Sequence, residues 1–431
     1  MRRVAITGVG LLTAVGAGRK EAWDALLQGQ TGVRRVRAWD ASALRTQMAA
    51  EIDDFVPDRY ASRRALRMTT RNDQLAIAGA VLAMTDAGND ISAYDPGRAA
   101  AFVGGNKEIS NPEHLLDGCL VARCEDGSAD IRRLGTQASS AFYPLFYVEG
   151  LQSAALFYVS QLFGLMGANA YFHGTADVGL TAIGRAYRSI RRGESDIALA
   201  GGSDDASSWW TLSKMDGLGV LTDRNELGAQ AFRPFDIDRS GSVLGEGASW
   251  LVLEEYEAAT RRGATIYAEV TGFGSTFDGA TLPTPEPSGA PLAVAIRKAL
   301  DEARVNPDEV DYVASHGCAT LLGDPSEARA LASVFGPAGQ PAVGSVKPAT
   351  GHLVAGAGAL NVAVCTLAVA EGAIPPTLNL ERPDPDCPLD NLVVQAREAR
   401  VRHAVAVARG LEGQQVALVV STPGEERRRA A

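Results

Sequence analysis

Histidine and cysteine are scarce in this 431-residue sequence, with five of each, and aromatic residues make up only 6%. The cysteines (Cys119, Cys124, Cys318, Cys365 and Cys387) form an odd, scattered set. Cys119 and Cys124 have no partner pair elsewhere, so neither a zinc site nor any other metal centre is expected. Unpaired cysteines suit a reducing compartment, and a cytoplasmic location is the expectation. Positive charge is also in deficit: 41 Lys and Arg stand against 51 Asp and Glu, a net charge of −10. Phosphate binding needs a concentrated basic face, so nucleic acid is excluded as a main partner. No apolar run approaches the roughly 18 to 20 residues that span a bilayer. No secretory leader is read either, because Met1-Arg2-Arg3 runs straight into a strand-like Val4-Ala5-Ile6. A membrane partner is therefore not expected.

Glycine, by contrast, is abundant at 46 residues, which points to many tight turns and close backbone approaches. Hydrophobic residues at 46% provide for a sizeable interior. The length suits two half-domains or one large α/β unit. Strand-like and helix-like segments alternate, which predicts an α/β architecture. Strands are expected at Arg3 to Gly8, Ala99 to Val103, Asp196 to Ala200 and Trp250 to Leu253. Helices are expected at Asn72 to Ala87, stopped by Gly88, and at Ala176 to Arg192, closed by Gly193. A charged helix from Glu255 to Arg262 marks the division between halves. The second half repeats the logic: strand-like Ile266 to Gly274, helical Leu292 to Ala303, and strand-like Asp311 to Ser315. It continues with helical Glu327 to Val334, then a small-residue helix at Ala355 to Glu371 suited to deep burial. Strands at Ala404 to Ala408 and Val416 to Ser421 complete it. The predicted units are 1–258 and 259–424, followed by a disordered tail at 425–431. The stretch from Cys119 to Ala138 shows no clear period.

Three segments carry a resemblance. Ser315-His316-Gly317-Cys318-Ala319-Thr320 leads into Gly323-Asp324-Pro325-Ser326-Glu327. Ser345-Val346-Lys347-Pro348-Ala349-Thr350-Gly351-His352-Leu353 follows, and Arg233-Pro234-Phe235-Asp236 runs on to Gly245-Glu246-Gly247-Ala248. In order and spacing, together with Val4 to Gly10, they resemble the β-ketoacyl-acyl carrier protein synthases, condensing enzymes of the thiolase fold. The resemblance covers essentially the whole chain. It implies an α/β, thiolase-like fold of two pseudo-duplicated αβαβα halves in layers. It also implies that His316 and His352 donate hydrogen bonds to a developing enolate or oxyanion, and that Lys347 with Glu327 holds the site in register. No cofactor is implied.

The same resemblance exposes departures. Gly164-Leu165-Met166-Gly167 upstream and Ala200-Gly201-Gly202 downstream both place the family's cysteine nucleophile at Ala176 without a gap. A methyl group cannot attack a thioester. Asp177 beside it would oppose a thiolate and suits a helix N-terminus. Near the C-terminus the family has a glycine–phenylalanine–glycine–glycine turn that gates the pocket and helps form the oxyanion hole. Here the run is Gly410-Leu411-Glu412-Gly413, so Leu411 replaces the gate and Glu412 a glycine. Cys318 is read as a small buried hydrophobe that shares the cavity, and Thr175 and Ser153 have no evident base partner.

The pattern resembles the chain length factor of type II polyketide systems, a cysteine-less subunit that pairs with an active ketosynthase and shapes its acyl tunnel. The expected partners are that ketosynthase, in a heterodimer, and an acyl carrier protein. Phe142, Phe146 and Leu151 are candidates for the tunnel lining, and Arg63, Arg64 and Arg67 for contact with an acidic carrier. Two alternatives stay open: a malonyl-carrier decarboxylase using His316, His352 and Lys347, and a carrier-protein binding protein without catalysis.

Overall fold

The computed structural model describes residues 1–88, 91–106, 112–144, 146, 151, 153–336 and 340–424, so the expected tail at 425–431 lies outside the described residues. Among these, thirteen strands join one sheet, and ten of them form a continuous path. In chain order these ten are β1 (Val4–Thr13), β2 (Ala99–Gly105), β3 (Asn169–His173), β4 (Ile197–Asp205), β5 (Leu244–Glu255), β6 (Ala268–Phe277), β7 (Tyr312–Ala314), β8 (Ala342–Gly344), β9 (His403–Arg409) and β10 (Gln414–Ser421). Across the sheet they run β8-β7-β9-β10-β6-β1-β5-β4-β2-β3.

That order contains one pattern twice. β3, β2 and β4 pair in parallel, then β5 and β1 follow antiparallel. β8, β7 and β9 pair in parallel, then β10 and β6 follow antiparallel. The antiparallel β1–β6 pairing welds the two halves into one sheet. The internal duplication implied by the family resemblance is therefore written in strand order.

Six helices sandwich this sheet: α1 (Arg71–Asp86), α2 (Ala154–Phe163), α3 (Val178–Arg192), α4 (Ala290–Ala303), α5 (Gly323–Phe335) and α6 (Ala357–Glu371). α1 begins at a reciprocal cap in which Thr70 and Asp73 each accept the other's backbone N–H. It covers β1, β5 and β4, while α4 covers β6 and β10. α3 and α6 lie between the two halves and share the largest core cluster with strands of both. Strands with helices on both faces need apolar residues throughout, and β1 is buried along its whole length. α3 and α6 cross at two glycines. A Cβ on Gly179 would stand 2.7 Å from Ala355 O, and one on Gly358 2.5 Å from Ala176 O. Only glycine permits so close a crossing.

Several expectations need correcting. The 18-residue helical stretch Val354–Glu371 does have the length and hydropathy to cross a membrane, with 83% of it buried inside the protein. Its apolarity comes from its place in the central layer. β4 extends to Asp205 and β6 to Phe277, beyond the segments read as strands. Glu327 lies inside α5 rather than at its start. The aperiodic region holds two short helices, Glu113–Ala122 and Ile131–Thr136. β3 and α2 had no counterpart in the sequence reading.

Candidate active site

The C-terminal ends of β7, β8 and β9 meet the N-terminus of α3, and the loops that leave them converge on one cavity. Crevices at the carboxyl ends of strands are the usual ligand sites of α/β sheets. The loop after β7 delivers His316, the segment after β8 delivers Lys347 and His352, Arg409 ends β9, and the loop after it delivers Leu411. Ala176, two residues before α3, faces the same space. Its volume is about 320 Å³, at the small end for ligand sites.

His316 is fixed by its own backbone. Glu327 accepts its N–H at 2.6 Å and that of Gly317 at 2.8 Å, while Lys347 Nζ donates to its carbonyl. Lys347 and Glu327 thus grip one peptide segment from both sides. Burial pushes Glu327 up and Lys347 down in pKa, as expected of ionisable groups removed from water. Asn361, in the otherwise apolar α6, donates to Ser315 O at 2.9 Å and to Val407 O at 2.8 Å. It ties the loop bearing His316 to β9. An amide in a buried apolar helix was the signal that could have identified it.

The imidazoles of His316 and His352 lie 5.5 Å apart, edge to face. Burial, then Lys347, brings His352 down to about 3, and burial with the same lysine holds His316 well below its ordinary value. Both rings are therefore neutral near pH 7. His352 Nδ1 accepts from Val354 N at 3.0 Å and His316 Nδ1 from Arg409 N at 3.4 Å. Each proton is thereby assigned to Nε2, which makes both rings hydrogen-bond donors.

At position 176 a buried methyl lines the cavity. The neighbouring Thr175 Oγ1 accepts the backbone N–H of Leu411 at 2.8 Å. Asp177 precedes α3 without capping it through its side chain, and its carboxylate packs against Gly410, whose Cβ would stand 2.5 Å from Asp177 Oδ1. Neither Asp177 nor Glu412 is among the residues lining the cavity, whereas Leu411 is. Cys318 lines it too, with its thiol raised by burial and then by Asp324. This matches its reading as a small hydrophobe better than a nucleophilic role.

The tunnel candidates lie elsewhere. Phe142 and Phe146 stack with ring centroids 6.3 Å apart, and Phe142 packs against Gly118. Leu151 and Ser153 line a surface groove with Arg64 and Phe157. Arg409, at the cavity, was not singled out in the sequence; a cation just before a glycine turn was the available signal.

Comparisons with known proteins match most of the chain. Residues 1–259 match the family model for the β-ketoacyl synthase N-terminal domain, and residues 267–381 the model for its C-terminal domain. The chain is 35% identical over 422 residues to 3-oxoacyl-[acyl-carrier-protein] synthase 2 of Coxiella burnetii, covering 97% of this chain and 98% of the relative. It is 34% identical over 433 residues to the tetracenomycin polyketide synthase ketoacyl synthase alpha subunit of Streptomyces glaucescens, covering 99% and 98%. Among solved structures it is similar to the ishigamide ketosynthase/chain length factor, with a TM-score of 0.87, 32% identity, and coverage of 98% and 100%. A type II polyketide acyl-carrier protein in complex with its ketosynthase, bound to the hexaketide, matches at a TM-score of 0.85, 27% identity, and coverage of 98% and 99%.

Proposed function

Since this chain belongs to the β-ketoacyl synthase family, we propose that it is a non-condensing subunit, a chain length factor that pairs with an active ketosynthase in type II polyketide or related acyl-chain biosynthesis. The observation that carries this reading is the state of the nucleophile site. Ala176 offers no thiol, and the Leu411 N–H, by resemblance an oxyanion-hole donor, is already taken by Thr175 Oγ1. Both requirements for acyl transfer to the protein are therefore missing at one place. The partner role draws support from the sheet edge. Among the described residues β3 is hydrogen-bonded on one side alone. Nearby, Phe157, Leu162 and Met166 are 59%, 42% and 76% exposed. An open strand edge beside exposed apolar side chains suits association with a homologous chain. The similar ketosynthase/chain length factor and carrier-protein complex point to the same class of partners.

Co-expression with candidate ketosynthases, followed by mass determination and a chain-extension assay, tests the proposal. A one-to-one heterodimer is expected. Extension should be lost when the partner's nucleophile is removed and retained when Cys318→Ala is introduced here. A homodimer that binds no ketosynthase overturns the reading.

A second reading rests on a separate observation, the neutral pair His316 and His352 with both Nε2–H groups available. Two such donors stabilise the enolate left when a malonyl thioester loses carbon dioxide, with no covalent step. Carbon dioxide release from malonyl-carrier protein by this chain alone would establish it.

A further inference from the structure

The cavity is unusual in its charge. The protein carries a net charge of −10, yet no carboxylate is among the residues lining this space. Its one permanently charged lining residue is Arg409, whose side chain is 11% exposed. The guanidinium is poorly satisfied. Among the described residues it makes a single hydrogen bond, from Nη2 to Pro283 O at 3.3 Å, and its buried Nε has no acceptor. Its nearest countercharge, Asp278 Oδ2, stands 3.7 Å from Nε, beyond hydrogen-bond reach, and is shared with the Gln415 amide. A guanidinium presents five donors in a fixed fork, so a buried one left this open is set up to receive an anion. The two histidine Nε2–H groups add neutral donors on the same cavity. Part of the lining is apolar, built from Met215, Leu221, Leu244 and Val354.

From these features we propose that the cavity binds a short apolar chain ending in a carboxylate, with the carboxylate on Arg409 and the chain along the apolar lining. The inference rests on the reading of this space as an acyl site and goes beyond it by naming the ligand's end group. A cation held beside a carboxylate stabilises the charged acid itself, so the site favours retaining an acid over expelling carbon dioxide from it.

The test uses the purified full chain, alone or in its complex, with hexanoate and its neutral counterpart hexanamide followed by calorimetry. Hexanoate should bind roughly tenfold tighter or more, the factor expected of a hydrogen bond to a charged group. Arg409→Gln should abolish that preference, and Arg409→Lys should keep part of it. Equal affinity in the unaltered protein, or a preference that survives in Arg409→Gln, overturns the proposal. Should Arg409→Gln fail to fold, Arg409→Lys decides instead: its preference for hexanoate should fall below that of the unaltered protein, and an unchanged preference counts against the site. A glutaryl thioester of N-acetylcysteamine, compared with hexanoate, tells a carboxylated acyl chain from a free acid as the natural source. A chain that forms the heterodimer without a carboxylate preference refutes this inference alone. One that prefers hexanoate but binds no ketosynthase refutes the subunit reading alone.

Discussion

At position 176 a side chain of one carbon sits where acyl transfer would need a thiol, and at 175 a hydroxyl occupies the amide that would steady the oxyanion. The two changes act on different steps, so restoring one should not restore the other. Ala176→Cys alone is expected to react with iodoacetamide yet to acylate slowly from a butyryl thioester. Adding Thr175→Ala frees the Leu411 N–H and should raise the acylation rate at least tenfold, since one oxyanion donor is typically worth ~10²–10³ in rate. Intact-mass kinetics follow the acyl adduct, and equal rates for the single and double variants would sink this account. The motifs made His316, His352, Lys347 and Glu327 readable from sequence, because each recurs at a fixed spacing. The Thr175–Leu411 bond joins residues far apart in the chain, and spacing cannot reveal it. Asp177 and Glu412, neighbours of cavity residues in the chain, are not among the residues that line it. Position in a motif does not give side-chain direction.

Helix packing sets how much change the central layer accepts. Gly358 in α6 lies against Ala176 O and the Cβ of Leu180, at 2.5 and 2.9 Å from where its own Cβ would be. Gly358→Val should therefore push α6 off α3 and destabilise the protein by about 1–3 kcal/mol, read as a lower denaturant midpoint with an unchanged slope. An unshifted midpoint would mean that the layers slide freely. α3 and α6 were legible because their apolar residues and closing glycines, Gly193 and Gly372, follow helical rules. β3 was missed for the opposite reason. Its residues, Asn-Ala-Tyr-Phe-His, carry a polar group at each end and only partly buried side chains between. α2, apolar but just ten residues long, lacks a polar face to reveal its period.

For the molecule as a whole, buried carboxyls away from the cavity set the response to pH. Burial and the neighbouring Asp205 push Asp204 up to about 8. Its folded value is thus above the unfolded one, about 3.9. The stability it contributes is full below pH ~4 and is lost as pH rises through 8. Asp204→Asn mimics the protonated form, so the variant should melt like the unaltered protein near pH 4 and at higher temperature above pH 8. A difference in melting temperature that stays constant with pH would refute the assignment. The doubled architecture was legible from the family motifs, while the strand order that makes it one continuous sheet required coordinates.

The central weld of that sheet has a bearing on how the chain is made. β1 is synthesised early, yet its two neighbours on the ten-strand path, β5 from Leu244 and β6 from Ala268, follow only after more than half the chain. At translation rates of about 5–20 residues per second, a largely apolar strand waits on the order of tens of seconds for these long-range partners. During that wait it is a target for aggregation, and long-range pairings of this kind also slow folding. Until β5 and β6 arrive, the nascent first half presents the kind of unpaired apolar segment that chaperones bind.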